Sequence, residues 1–367
     1  MVNGGARLLT DRLARTLAPP KNLKIATNNK IKMKTKILFL LPALIAVLNL
    51  IPAGRVTAQT FTVLKSFGIL TNVTGFYPES TLVQGPDGTL YGTARVGEGI
   101  IRGTVFKVQP DGSEFRVLKW FTYTNNLEGE DPVAALALSG SVLYGTTAYG
   151  GSFNCGTVFK VNTDGTGFTV LKNFTGGDGG NPYHAGLTLS GSVMYGTTYS
   201  GGSSNSGTLF KLNTDGTGYT VLKNFTRGDG ANPNADLTLA GSMLYGTTEN
   251  GGSSGVGALF KINTDGTGYT VIKNFSALLN NTNSDGAYPD GVLTLAGNTL
   301  YGTTYRGGSL GNGTVFQINT DGTGYTVLKH FAGSEGAHPA GCLPLSETRS
   351  TERRSQAALR TMGPCSR

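Results

Sequence analysis

A four-residue motif, Leu/Met-Tyr-Gly-Thr, recurs five times and sets the period of this chain. Its tyrosines are 50 to 56 residues apart and are Tyr91, Tyr144, Tyr195, Tyr245 and Tyr301. Internal periods of this length are typical of repeat architectures, in which each repeat is one supersecondary unit and neighbouring units cover each other's apolar faces. The period therefore has more weight than any single motif in predicting the fold.

Each unit contains four short β-type segments. In one unit these segments are residues 186–189, 193–198, 207–213 and 219–225. The first two are joined by Ser190-Gly191, and the last two by an Asn-Thr-Asp-Gly-Thr-Gly turn that starts at Asn213, where Asp-Gly suits the positive φ of a tight reversal. The pattern predicts an all-β fold, a β-propeller of four-stranded antiparallel blades with a repeat of about 50 residues. A linear β-solenoid or stacked-sheet array is the alternative.

Composition and strand patterning agree with that fold. The chain has 56 glycines and only 14% charged residues, as expected for a turn-rich β protein. The strands are apolar on both sides, so each sheet needs cover on both faces. We expect the third-strand phenylalanines to pack against neighbouring blades, each contributing roughly 1.5–3 kcal/mol. They are Phe159, Phe210, Phe260 and Phe316.

The ends of the repeat region predict how the ring closes. Residues 61–67 have the sequence of a fourth strand without the first three, so they are expected to complete the last blade. Five complete blades follow, over residues 80–331. A sixth is predicted to be lost at the C-terminus, because the repeat pattern stops after Ala340.

The chain divides into four predicted segments. Residues 1–32 are interpreted as sequence upstream of the true start, and 33–58 as a signal peptide with a basic start, an apolar run and a small-residue cleavage site. Residues 59–341 form the propeller, and 342–367 are an aberrant disordered tail that we attribute to a frameshift. The signal predicts a secreted or cell-surface protein with no membrane span in its mature form; a permanent N-terminal anchor is the alternative.

The charge distribution argues against nucleic-acid binding. The whole chain has a formal charge of +8, but residues 59–341 contain 15 Lys and Arg against 19 Asp and Glu. The net positive charge therefore comes from the two tails, whereas a phosphate-binding surface requires clustered Lys and Arg on the folded domain. The sequence also leads us to expect that the protein is a monomer and binds no cofactor.

The repeats resemble a known family. Gly-Thr-Val-Phe-Lys-x-Asn-Thr-Asp-Gly-Thr-Gly-x-Thr-Val-Leu-Lys-x-Phe and Leu-Tyr-Gly-Thr-Thr-x-x-Gly-Gly, across residues 61–340, resemble the GloVer repeat of bacterial choice-of-anchor tandem-repeat proteins. The resemblance implies an exported bacterial protein that is similar to kelch-type propellers and often has a C-terminal surface anchor. It implies no established activity.

The candidate ligand-binding residues follow the Gly-Thr-Thr or Gly-Thr-Ala motif of each unit. Strand alternation places these loops on the same face as the links between blades, and loops of this kind commonly carry function. The predicted residues are Arg95, Tyr149, Tyr199, Glu249, Tyr305 and Arg306. Exposed Tyr and Arg on a Gly/Ser background suit contact with an extracellular polysaccharide or a surface protein. The alternative is that they only cover the blade tops.

No catalytic residue and no metal site are predicted. The repeated turn aspartates are interpreted as structural, and Asp178, Asp229 and Asp285 as turn residues of an Asp-Gly-x-x-Pro link, with weak metal binding as the alternative. A secreted carbohydrate-active hydrolase remains the alternative function. Its paired acids would come from the irregular carboxylates, which are Glu128, Glu130, Asp131 and Glu249.

Overall fold

The computed structural model describes residues 63–64, 75, 77–97 and 99–343. Within these ranges the chain forms twenty β-strands in five sheets, each containing four consecutive strands in antiparallel order. The only helical element there is a 3-10 segment, Tyr123–Glu128. The protein is a β-propeller, as the sequence predicted.

Each sheet is one blade, numbered along the chain. Blade 1 consists of β1 (Val83–Gln84), β2 (Leu90–Ala94), β3 (Ile101–Val108) and β4 (Arg116–Thr122). Blade 2 consists of β5 (Ala137–Ser139), β6 (Val142–Thr147), β7 (Thr157–Asn162) and β8 (Thr169–Asn173). Blade 3 consists of β9 (Thr188–Ser190), β10 (Val193–Thr198), β11 (Thr208–Asn213) and β12 (Thr220–Asn224). Blade 4 consists of β13 (Thr238–Ala240), β14 (Met243–Thr248), β15 (Ala258–Asn263) and β16 (Thr270–Asn274). Blade 5 consists of β17 (Thr294–Ala296), β18 (Thr299–Thr304), β19 (Thr314–Asn319) and β20 (Thr326–His330).

The recurring motif lies on the second strand, and its first three residues each have a packing role. In blade 3, Met194 packs in the cluster shared with blade 2, and Tyr195 packs in the cluster shared with blade 4. Gly196 lies opposite Phe210, where an added Cβ would be 2.6 Å from the phenyl ring. Glycine is required here because the third-strand phenylalanine fills the space of a side chain.

Consecutive blades are held together by apolar clusters, one at each of the four interfaces. The four predicted phenylalanines, Phe159, Phe210, Phe260 and Phe316, are fully buried in these clusters. This confirms that the third strands pack against the preceding blade. Since a four-stranded sheet this small is apolar on both sides, each blade depends on its neighbours for stability.

The Asn-Thr-Asp-Gly-Thr-Gly segments form tight turns between third and fourth strands. In blade 2, the Thr166 backbone N–H and hydroxyl both donate to Asp164 Oδ1, at 2.8 and 2.7 Å. Gly165 has φ +91°. The same hydrogen bonds recur at Asp215, Asp265 and Asp321. These bonds lower the pKa of each of the four carboxyls, as expected of a structural turn.

A lysine, an aspartate and a tyrosine connect successive blades at their outer strands. Lys172 lies 2.5 Å from Asp178 and 4.4 Å from the ring centroid of Tyr219 in the next blade. The Tyr219 hydroxyl donates to the Asp178 carbonyl at 2.7 Å. Asp178 also accepts from the Thr175 N–H, so the predicted turn role holds alongside the bridging one. Equivalent triplets are Lys223–Asp229–Tyr269 and Lys273–Asp285–Tyr325.

Both ends of the described region show elements of a further blade. An added Cβ on Gly112 would lie 2.4 Å from the Leu64 carbonyl oxygen, and one on Gly165 would lie 3.1 Å from that of Leu118. Leu64 therefore occupies the fourth-strand position ahead of blade 1. At the other end, Thr294 Oγ1 donates to the Leu343 carbonyl at 2.7 Å, as Thr188 does to Leu237. Leu343 thus stands where a sixth blade would begin.

The predicted upstream extension, signal peptide and tail beyond residue 343 lie outside the described residues. Among the residues described, no helix is long and apolar enough to cross a membrane.

Candidate binding site on the loop face

The loop between the second and third strands of each blade lies beside the link that enters that blade. Isolated bridges pair Glu130 with Tyr149, Gly180 with Ser200, Ala231 with Asn250, and Ala287 with Arg306. We call the resulting surface the loop face. It comprises links 128–135, 178–186, 229–236 and 285–292, loops 148–156, 199–207, 249–257 and 305–313, and residues 77–81 and 95–97 of blade 1.

All six predicted ligand-binding residues lie on the loop face, in two adjacent register positions. Four of them occupy the first position, where the backbone N–H donates to a link carbonyl at 2.9–3.2 Å; they are Arg95, Tyr199, Glu249 and Tyr305. Tyr149 and Arg306 occupy the following position, and Ala148 takes the first position in blade 2. Successive blades therefore present different side chains at equivalent places.

Each link turns through a non-glycine residue with left-handed backbone immediately before a proline. These residues have φ of 53° to 56° and are Tyr77, Asp131, Asn181, Asn232, Tyr288 and His338. Bulky residues are rare in this region, and holding one there costs about 1–3 kcal/mol. From this position Asn181 Nδ2 donates to the Ala148 carbonyl and Asn232 Nδ2 to the Tyr199 carbonyl, at 3.0 and 2.9 Å. These contacts fix the first-position residues relative to the next blade.

At the blade 1 end of the loop face, Arg95 is surrounded by partners. Its guanidinium lies 3.8 Å from Glu79 and 3.5 Å from Asp131, and it donates to the Tyr183 hydroxyl at 3.0 Å. Burial raises the pKa of Asp131 above its ordinary value, although Arg95 opposes the shift. The Arg95 charge is therefore largely compensated within the protein.

Three tyrosines continue from Arg95 across blades 2 and 3. The Tyr183 ring centroid is 6.2 Å from that of Tyr149 and 6.4 Å from that of Tyr199. Burial raises the pKa of Tyr199, and the charge of Glu249 raises it further. Tyr199 thereby connects the tyrosines to the acidic part of the loop face. We call the set Arg95, Tyr149, Tyr183, Tyr199, Glu249, Tyr305 and Arg306 the arc.

The far end of the arc opens into a cavity of about 220 Å³ between blades 4 and 5. Its lining residues are Asn234, Glu249, Tyr288, Asp290, Tyr305 and Arg306. Tyr305 is stacked on His338, with ring centroids 4.7 Å apart. Three of the six predicted residues, Glu249, Tyr305 and Arg306, therefore meet in one concavity. Arg95, Tyr149 and Tyr199 lie outside it.

Sequence reasoning missed Tyr183, Asn234, Tyr288 and Asp290. All four lie in the links and are next to a proline: Tyr288 precedes Pro289, whereas Tyr183, Asn234 and Asp290 follow Pro182, Pro233 and Pro289. The repeated proline marks these places in the sequence, but the left-handed backbone of the residue before it could not be predicted, because that residue is ordinarily extended.

Asp236, at the end of the link into blade 4, is an acid with an unusual environment. Its Oδ1 accepts from the Gly186 backbone N–H at 2.5 Å. Burial raises its pKa to about 6, and the hydrogen bond from Gly186 opposes the shift. The carboxylate form is therefore disfavoured at this position.

Two other features are separate from the arc. An open cleft of about 540 Å³ lies at the outer strand of blade 1, lined by Trp120 and the Asp164 turn among others, and it holds none of the predicted residues. No group of three or more His, Cys, Asp or Glu that could hold a metal ion occurs among the described residues.

A family model, the Gloeobacter/Verrucomicrobia repeat, matches residues 53–257 and 164–349. The chain belongs to this repeat family. The sequence-based resemblance to the GloVer repeat is therefore confirmed, and the matched region includes every blade and the whole loop face. No curated protein matches the chain in sequence.

Solved structures similar to this repeat protein are propeller-type folds. The nidogen/laminin complex matches at 16% identity, with 70% of this chain and 80% of that chain covered and a TM-score of 0.46. A putative TolB from Agrobacterium tumefaciens matches at 11% identity, covering 68% and 79%, with a TM-score of 0.44. A putative 6-phosphogluconolactonase from Bacteroides uniformis matches at 16% identity, covering 74% and 75%, with a TM-score of 0.45.

Proposed function

We propose that this repeat protein is an exported, non-enzymatic binding module whose loop face binds carbohydrate. The observation that carries the proposal is the arc itself. Tyr149, Tyr183 and Tyr199 form a connected aromatic row beside Glu249, on positions that differ from blade to blade. Aromatic rings with polar tips suit sugar rings, which present both apolar faces and hydroxyl groups.

The backbone beneath the arc favours binding by a rigid surface. Left-handed residues such as Asn181 and Asn232 hydrogen-bond across adjacent blades directly behind the first-position side chains. A site whose supporting atoms are already held in place loses less conformational entropy on binding. Backbone strain retained in every link is also more common at ligand-contacting sites than elsewhere.

Export is proposed from the signal-type sequence of residues 33–58, and it places the partner outside the cell. An extracellular polysaccharide is the proposed partner, with a surface protein as the alternative. The protein is proposed to act as a monomer.

A carbohydrate-active hydrolase on the same fold is the second candidate. Glu249 and Asp290 both line the cavity between blades 4 and 5, and glycoside hydrolysis commonly uses a pair of carboxyl groups that face one another across the scissile bond. The remaining irregular acids do not converge there. Asp131 is paired with Arg95 at the other end of the arc.

A glycan array run beside a hydrolysis screen separates the two candidates. The binding proposal predicts that the protein, produced from residue 59 onward, retains glycans on the array without releasing new reducing ends from them. Turnover that disappears in Glu249→Gln would overturn the proposal in favour of the hydrolase. No retention of any glycan, together with capture of a defined surface protein, would favour the alternative partner.

A further inference from the structure

The cavity between blades 4 and 5 contains a buried acceptor without a partner. Asn234 is 7% exposed, and its Nδ2 donates to Asp290 Oδ1 at 2.8 Å. This bond fixes the orientation of the amide, so Oδ1 is the atom that remains. No described group donates to that oxygen. Most buried polar atoms have a hydrogen-bond partner, so an unpaired acceptor that lines a cavity is a place where a donor group of a ligand can bind.

The other charged groups of the cavity make it a site for a cation. Glu249 and Asp290 contribute two carboxylates, whereas Arg306 contributes one guanidinium on an exposed side chain. The carboxylates and Asn234 Oδ1 are all acceptors. A group that offers several N–H donors and a positive charge matches this set better than a neutral hydroxyl does.

The size and walls of the cavity limit what can carry that group. At about 220 Å³ the cavity is below the usual range of sites for drug-sized ligands, so it accommodates one small ring. Tyr288 and Tyr305 form aromatic walls, and Tyr305 is held in place by stacking on His338. A ring with an apolar face and an amino substituent satisfies both the walls and the acceptors.

We propose that this cavity is a subsite for one sugar ring bearing a free amino group, a hexosamine unit within the bound glycan. The inference rests on the proposed carbohydrate binding and names the class of sugar. The ammonium donates towards Asn234 Oδ1 and the carboxylates of Glu249 and Asp290. At the opposite end of the arc, Arg95 lies beside Glu79 and Asp131, so one cation is already part of that end of the protein.

Three tetrasaccharides that differ only at carbon 2 test the proposal by calorimetric titration. They are the β-1,4-linked tetramers of glucosamine, N-acetylglucosamine and glucose. The ammonium form is expected to bind at least about 10-fold more tightly than either of the others, since a charge-assisted hydrogen bond contributes roughly twice as much as a neutral one. This preference should disappear when the pH is raised above the pKa of the sugar ammonium.

Substitutions that keep side-chain shape test whether the preference for the glucosamine tetramer arises in this cavity. Asp290→Asn and Glu249→Gln should each weaken binding of the glucosamine tetramer about 10-fold and thereby remove its advantage over the glucose tetramer. Asp265→Asn is the matched control, because it makes the same chemical change in an exposed turn of blade 4, between β15 and β16. It should bind like the wild type. Melting curves of every variant establish that the fold is intact.

Each alternative outcome counts against a different claim. Equal affinities for the three tetramers, or a glucosamine preference that survives Asp290→Asn and Glu249→Gln, would overturn the hexosamine subsite and leave carbohydrate binding standing. A tetralysine peptide that binds as tightly as the glucosamine tetramer would show recognition of an ammonium on a polypeptide and would also overturn it. Failure of all glycans, on the array and in titration, would overturn both proposals.

Discussion

The interfaces between blades and the loop face differ in how strictly they repeat. At the interfaces the third strand supplies a phenylalanine in every blade, and those of blades 2 to 5 are fully buried. On the loop face the first register position changes from blade to blade; its residues are Arg95, Ala148, Tyr199, Glu249 and Tyr305. In both regions the backbone hydrogen bonds recur from blade to blade, so the variation on the loop face is in the side chains.

This contrast separates stability from recognition. A position that must fill the same space in each blade tolerates one residue, because buried side chains pack at crystal-like density. The first register position of the loop face is half-buried in four of the five blades and fills no repeated space, so its residue can vary. Substitution at the interfaces should therefore cost mainly stability, and substitution on the arc should cost mainly binding.

The largest effect is expected at an interface phenylalanine. Phe210→Ala removes a fully buried ring from the cluster between blades 2 and 3 and should lower the free energy of unfolding by about 3–5 kcal/mol. Phe153→Ala is the control, since its ring is 60% exposed. Denaturant titration with a common m-value should show little change for the control. Equal losses for the two variants would break the contrast.

A smaller effect is expected at the lysine bridges. Lys172→Met removes an ion pair with Asp178 and the contact with the Tyr219 ring and should cost about 1–2 kcal/mol. Lys329 is the matched comparison: its pair with Glu335 is exposed, and no described ring lies over it. Lys329→Met should change stability by less than about 0.5 kcal/mol. If the two substitutions cost the same, the bridge between blades contributes nothing.

The strands and turns were predictable because each depends on residues close in sequence. Asp-Gly turns and alternating apolar runs located β9 to β12 to within two residues. The lysine bridges were not predicted, because Lys172 and Tyr219 belong to different blades. Asp178 was predicted to be a turn residue, and the structure shows that it also forms an ion pair with Lys172.

Part of the candidate site was also predictable. Strand alternation places Tyr199 and Glu249 on the same face as the links, where the structure has them. Tyr183 and Asn234 were missed because links vary in length and carry no period-two pattern. Their positions depend on the left-handed residue before each proline, whose conformation a sequence pattern does not reveal.

The raised pKa of Asp236, the acid at the end of the link into blade 4, can be tested by measuring stability as a function of pH. The folded-state pKa of Asp236 is about 6, above its ordinary value of 3.8, so the folded protein retains a proton that the unfolded chain releases. The contribution of Asp236 to stability therefore falls as pH rises from 3.8 to about 6, and the loss persists at higher pH. Asp236→Asn, which keeps the acceptor for Gly186, should raise stability at pH 7.5 by on the order of 1 kcal/mol.

Asp265 is the control for this prediction, because its pKa is shifted in the opposite direction. Hydrogen bonds from Thr267 lower the pKa of Asp265, so its carboxylate favours folding above the ordinary carboxyl pKa and loses that effect in acid. Asp265→Asn should not stabilise the protein at pH 7.5. Thermal melts between pH 4 and pH 8 compare the two variants. A steeper rather than flatter pH profile in Asp236→Asn would contradict the assignment.

The most direct test of the central claim is a calorimetric titration of a glycan retained on the array. Tyr149→Ala/Tyr199→Ala removes two rings of the arc, and Trp120→Ala removes a 44% exposed ring from the outer cleft of blade 1. The arc variant should bind at least about 10-fold more weakly and should lose less stability than Phe210→Ala does. Trp120→Ala should bind normally. Unchanged affinity in the arc variant, or a loss confined to Trp120→Ala, would contradict the account.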